Sequence, residues 1–71
     1  MRILLVEDEK YIAEAIAQVL KINRYIVDLA FNGEDGLDSG LTGIYDIIVL
    51  DIMLPKLDGL RVLEQLRANG I

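Results

Sequence analysis

Ile47-Ile48-Val49-Leu50-Asp51 is the stretch on which the fold of this chain turns. Four consecutive apolar residues deliver one carboxylate, and Ile52-Met53-Leu54-Pro55 follows at once. A run that is apolar on both faces predicts a fully buried parallel strand. An ionised Asp at the end of such a strand is costly unless something binds it. The N-terminus repeats the arrangement, because Ile3-Leu4-Leu5-Val6 ends in Glu7-Asp8-Glu9. Two buried strands that each stop in acid predict one site where the strand ends meet.

Helical spacing fills the gap between these strands. From about Lys10 to Ile22, Ile12, Ala15, Ile16, Val19 and Leu20 recur at three- and four-residue steps and form one apolar stripe. Asp8 or Glu9 suits the start of that helix, and Asn23 suits a left-handed stop. Tyr25 to Ala30 predicts a second strand. Asp28 interrupts one of its faces, which fits an edge position. Asn32-Gly33 signals a turn or a helix start. The helix that follows, about Glu34 to Thr42, is short and contains Gly36 and Gly40. The third strand spans about Asp46 to Asp51. A third helix runs from Asp58 or Gly59 to Ala68, with Leu60, Val62, Leu63 and Leu66 as its apolar face. Asn69-Gly70 ends it.

Strands alternating with helices imply an α/β fold with a parallel sheet and right-handed crossovers. With strand one central, the expected order is 2-1-3. Ligands of such sheets bind beyond the carboxyl ends of the strands, where the order reverses. Glu7, Asp8 and Asp51 all fall at that point. Three carboxylates gathered there repel, each pair by about 4 kcal/mol at ~4 Å and an effective dielectric near 20. Either some protonate or a cation neutralises them. An all-oxygen set selects a hard divalent ion. Mg2+ binds one or two carboxylates, keeps several waters and shares its remaining positions with a phosphate. A carboxylate beside it is a plausible nucleophile, since carboxylates form aspartyl phosphates.

Composition narrows the chemistry. The 71 residues allow one small domain, and 54% of them are hydrophobic, which points to a partner, a second copy or further chain. No Cys and no His are present, so thiol chemistry, Ser-His catalysis and histidine metal sites are excluded within this chain. Net charge is -5, from 12 acids against 7 bases, the opposite of a nucleic-acid footprint. No apolar run approaches the ~20 residues that span a bilayer, so a soluble, cytoplasmic chain without membrane contact is expected.

Plainer readings compete at each position. Glu7 and Asp8 also suit solvated acids at a helix start. Asp51 also suits an ordinary polar strand end, and Lys56 a solvated loop residue. A dinucleotide site is disfavoured, because no G-x-G-x-x-G follows strand one.

Taken together, Ile3-Leu4-Leu5-Val6-Glu7-Asp8-Glu9, Asn32-Gly33-Glu34 and Ile48-Val49-Leu50-Asp51-Ile52-Met53-Leu54-Pro55-Lys56-Leu57-Asp58-Gly59 resemble a bacterial response-regulator receiver domain. The last block resembles the OmpR/PhoB-type transcriptional regulators, and the match runs in order along the whole chain. The resemblance implies a flavodoxin-like half-domain: a three-stranded parallel sheet of order 2-1-3 with three helices. The chemotaxis receiver has that flavodoxin-like order. Residue by residue, it implies that Asp51 is the phosphoacceptor. It assigns Glu7 and Asp8 to the acidic pair that holds Mg2+, and Met53 to the position whose backbone carbonyl reaches the metal. Pro55 and Lys56 match the loop beside the site. The implied donor is the phosphohistidine of a sensor histidine kinase. The implied domain catalyses its own phosphorylation and dephosphorylation without being a classical enzyme.

The family has five strands and five helices, and this chain matches the first three of each. On this expectation, residues 1–71 are an incomplete receiver domain, with the distal half and a DNA-binding effector absent. Normal switching is then not expected of the fragment. An apolar third strand without a neighbour is ready to pair, so self-association through its edge is expected, as an antiparallel homodimer or by a domain swap. Two other classes stand against the phosphoacceptor reading. One is a self-associating structural half-domain without phosphotransfer. The other is a Mg2+-dependent phosphohydrolase with an Asp nucleophile, disfavoured because Met53 stands where its second Asp belongs.

Overall fold

A computed structural model describes residues 1–51 and 54–71. Three strands and three helices alternate: β1 (Arg2–Val6), α1 (Lys10–Ile22), β2 (Ile26–Ala30), α2 (Gly33–Gly40), β3 (Ile47–Leu50) and α3 (Gly59–Ala68). The strands form one parallel sheet in the order β2-β1-β3. Both the alternation and the order agree with the sequence expectation.

β1 is the hub because it is apolar on both faces and has a strand on each side. Ile3 and Leu5 pack with Ala13 and Ala17 of α1 and Val27 of β2 on one face. Leu4 and Val6 pack with Ala30 and Leu54 on the other. α2 lies close over that second face: a Cβ on Gly36 would meet the Val6 methyls at 2.7 and 2.9 Å, so only a glycine admits this approach.

Coverage of the other elements departs from the sequence expectation. β3 is not fully buried: Ile47 and Val49 are 42% and 45% exposed. Their register against Ile3 and Leu5 puts them on the α1 side of the sheet, where α1 packs over β1 and β2. The buried seam of α1 is Ala13 and Ala17, with Leu20 alongside, while Ile12, Ile16 and Val19 remain exposed. Small residues let the helix sit close to the sheet, and the wider apolar stripe projects past it. In α3, Val62 and Leu66 are buried and Leu60 and Leu63 are not.

The helix ends follow local chemistry. Asn32 accepts from the Asp35 amide and Asp58 from the Arg61 amide, so both cap their helices. Glu9 occupies the N-cap of α1 without a side-chain cap bond. At the other end of α1 the left-handed residue is Arg24 (φ 68°), not Asn23. The Tyr25 amide reaches Leu20 and the Arg24 amide reaches Lys21, a Schellman pattern that requires the residue after Asn23 to turn left-handed. Asn23 instead uses its side-chain amide to donate to the Val19 carbonyl at 2.9 Å.

At the amino end of the sheet, Tyr45 Oη donates to Asp28 Oδ2 at 2.7 Å, and Arg2 pairs with the same oxygen at 3.2 Å. The tyrosine hydrogen bond, and then the arginine, hold the Asp28 carboxyl below its ordinary 3.8. A depressed folded-state value contributes stability that is present above pH 3.8 and is lost as pH falls below it. Tyr45→Phe is therefore expected to cost about 1 kcal/mol at neutral pH and to move the Asp28 titration, followed by NMR, back up toward 3.8. An unchanged Asp28 titration would mean that the tyrosine is not what holds it.

Candidate functional site

The carboxyl ends of β1 and β3 lie side by side, and each presents its acids there. Val6 is the last residue of β1 and is fully buried, so Glu7 is the first side chain free of the core. The Glu7 amide donates to the Ala30 carbonyl at 3.0 Å, which ties the site to the end of β2. Asp51 follows β3 directly, and its amide donates to the Val6 carbonyl at 3.0 Å. One carboxylate oxygen from each of Glu7, Asp8 and Asp51 lies within 4.8 Å of the others. Glu7 and Asp51 are half-buried, and Asp8 is exposed.

The electrostatics are those of crowded acids. Burial is the largest influence on Glu7 and pushes its carboxyl above the ordinary 4.5. A hydrogen bond from the Glu9 amide, at 3.2 Å, opposes this. A hydrogen bond shared with Asp51, and the charges of Asp51 and Asp8, push the same way as burial. A divalent cation would offset this crowding of negative charge, and the all-oxygen donor set suits Mg2+.

Of the other residues singled out in the sequence, Met53 lies outside the described residues. Pro55 and Lys56 lie on the loop that follows. The Pro55 carbonyl accepts from the Leu57 amide at 2.8 Å and from the Gly33 amide at 3.2 Å. Lys56 is exposed and sits at φ 68°. In the sequence Gly33 belongs to an Asn-Gly pair that signals a turn or a helix start. It is buried against the loop, and a Cβ there would fall on the Leu57 carbonyl oxygen. The Asn-Gly pair was the visible signal, but only the folded chain shows what the glycine touches.

The response regulator receiver domain family matches residues 3–70. The chain is 59% identical, over its full 71 residues, to the transcriptional regulatory protein DltR of Streptococcus agalactiae, and spans 32% of that protein. It is 43% identical to the response regulator ArlR of Staphylococcus saprophyticus over 96% of its own length and 31% of the relative's. The chain thus spans about a third of the length of these curated relatives. Among solved structures, the receiver domain of a Francisella response regulator superposes with a TM-score of 0.93 at 37% identity, covering 99% of this chain and 58% of that one. The response regulator TrrA from Thermotoga maritima, solved in complex with Mg(2+)-BeF, superposes with a TM-score of 0.88 at 40% identity, covering 94% of this chain and 58% of that one.

Proposed function

The chain belongs to the response regulator receiver domain family, and from that premise we propose that it carries the phosphoacceptor site of a two-component regulator of transcription. The observation that supports this most is the convergence of Glu7, Asp8 and Asp51 within 4.8 Å at the ends of β1 and β3. Asp51 is the acceptor. Its carboxylate oxygen attacks the phosphorus of a phosphohistidine on a sensor histidine kinase. A new P–O bond forms, the P–N bond breaks, and the imidazole leaves with a proton from solvent. Glu7, Asp8 and Asp51 would hold Mg2+, and the family resemblance adds Met53, which lies outside the described residues. When bound, the metal offsets the charge of the incoming phosphoryl group.

Receiver domains of this kind are not classical enzymes, and the acceptor chemistry above is what this chain's own residues contribute to phosphorylation and dephosphorylation. Response regulators work with sensor histidine kinases, and the relative DltR is named as a transcriptional regulatory protein. DNA contact is assigned to an effector domain separate from residues 1–71, which fits a net charge of -5. A cytoplasmic setting fits the same partners, and among the described residues no helix is long and apolar enough to cross a membrane. Isothermal titration calorimetry tests the metal site: one Mg2+ per chain is expected, with affinity at least about tenfold weaker in Asp8→Asn. No heat from the native chain, or the same heat from the variant, would refute it.

A second reading, self-association of residues 1–71, is favoured by one observation. Among the described residues β3 pairs with β1 alone, and Ile47 and Val49 are exposed on it. A two-fold pairing of β3 with its copy would give the order 2-1-3-3-1-2. A concentration-dependent dimer in sedimentation equilibrium is expected. A folded monomer at high concentration would remove the reading.

A further inference from the structure

We propose that Gly33, at the start of α2, is a positioning residue for the acidic site, because it clamps the loop that leaves Asp51. The inference rests on the reading of that site as a divalent-cation site.

The loop is pinned at successive points. The Asp51 amide is bonded to Val6. Three residues on, Leu54 is buried with Leu4, Val6 and Ala30. The Pro55 carbonyl then accepts from both Leu57 and Gly33. The Leu57-to-Pro55 bond closes a γ-turn with Lys56 at φ 68°, an uncommon conformation for a residue with a Cβ. Backbone strain of this kind persists where the surroundings over-determine it. Leu54 supplies the fixed point on one side and Gly33 on the other.

Gly33 is suited to this by space, not by torsion. It is not among the residues with positive φ. A Cβ there would collide with the Leu57 carbonyl, which is backbone and cannot rotate aside. Its amide is also available. The first amides of a helix have no partner within the helix. Asn32 takes the Asp35 amide at 2.9 Å, and the Gly33 amide goes to Pro55. The N-terminus of α2 thus satisfies itself by holding the loop of the acidic site. If holding the loop favours the metal, the metal must favour the clamp by the same factor.

Two measurements test this together. In an NMR titration of the native chain with Mg2+, the amides of Glu7, Asp8 and Asp51 report binding. The Gly33 and Leu57 amides are expected to shift with the same midpoint, and exchange of the Gly33 amide to slow severalfold. Gly40 packs on Leu66 at the far end of the same helix and is expected to stay unchanged. Gly33→Ala is expected to weaken Mg2+ binding roughly tenfold or more. Gly40→Ala, which forces a Cβ against the Leu66 side chain, perturbs packing without touching the loop and is expected to keep native affinity. If the acidic amides respond while Gly33 does not, and both variants bind alike, the clamp is wrong and the metal site stands. If the acidic amides do not respond, both readings fall. Should Gly33→Ala not fold, the native titration still decides.

Discussion

Leu4→Ala is expected to remove about 2–5 kcal/mol of stability, the largest single loss from any side chain of the central strand. Leu4 is fully buried, and it shares a core cluster with Val6, Ala30 and Leu54. No neighbour can collapse into the space without shifting the sheet, because β1 is bonded on both edges. A chain of this size has roughly 4–10 kcal/mol in total, so the variant is expected to be near its unfolding threshold. Val49→Ala on β3 is the contrast. Val49 is 45% exposed, and its loss is expected to be about 1 kcal/mol or less. Urea denaturation of both variants checks this. Equal losses would mean that β3 is covered as fully as β1.

Asp51→Asn is expected to be the more stable protein without metal and the less stable one with Mg2+. Without metal, the native cluster crowds three carboxylates, and burial together with Asp51 and Asp8 pushes the Glu7 carboxyl above 4.5. An acid with a raised folded-state value carries no penalty below pH 4.5. The penalty grows as pH rises through the raised value and is complete above it. The introduced amide removes one charge and donates to Glu7, so the metal-free variant is expected to melt higher at neutral pH, an advantage that disappears below pH 4.5. With Mg2+ the order reverses. At ten times its dissociation constant, a ligand bound only to the folded state adds about 1.4 kcal/mol. The native chain is expected to gain this and the variant little of it. Thermal melts with and without Mg2+ decide, and parallel gains in both proteins would place the ion elsewhere.

How much of this was legible in the sequence depends on what each signal encodes. Periodicity and run length located all six elements and the hub strand, because β1 is apolar on both faces and bounded by acids. The order 2-1-3 followed, and with it the meeting of Glu7, Asp8 and Asp51. Coverage was not legible. The same apolarity in Ile3 to Val6 and in Ile47 to Leu50 has different outcomes, since α1 packs over β1 and β2 and leaves Ile47 and Val49 exposed on the same face. Ile12, Ile16 and Val19 share the helical spacing of the apolar stripe yet stay exposed, because spacing alone does not show which side of a wide stripe faces the sheet. Close packing on the sheet selected Ala13 and Ala17 instead. The left-handed turn fell on Arg24 because hydrogen-bond geometry, not side-chain preference, fixed where α1 ends. Gly33 was hidden for a related reason: its partner Leu57 is distant in sequence and is met through backbone atoms, which leave no pattern in side-chain identity.

Asp51 is expected to accept a phosphoryl group with the help of a divalent ion, and intact-mass spectrometry after incubation with a small acyl phosphate, with and without Mg2+, decides this. One phosphoryl group per chain is expected, dependent on Mg2+, mapped to Asp51 and absent from Asp51→Asn. No mass gain in the folded native chain, or a gain that persists in Asp51→Asn, would contradict the account.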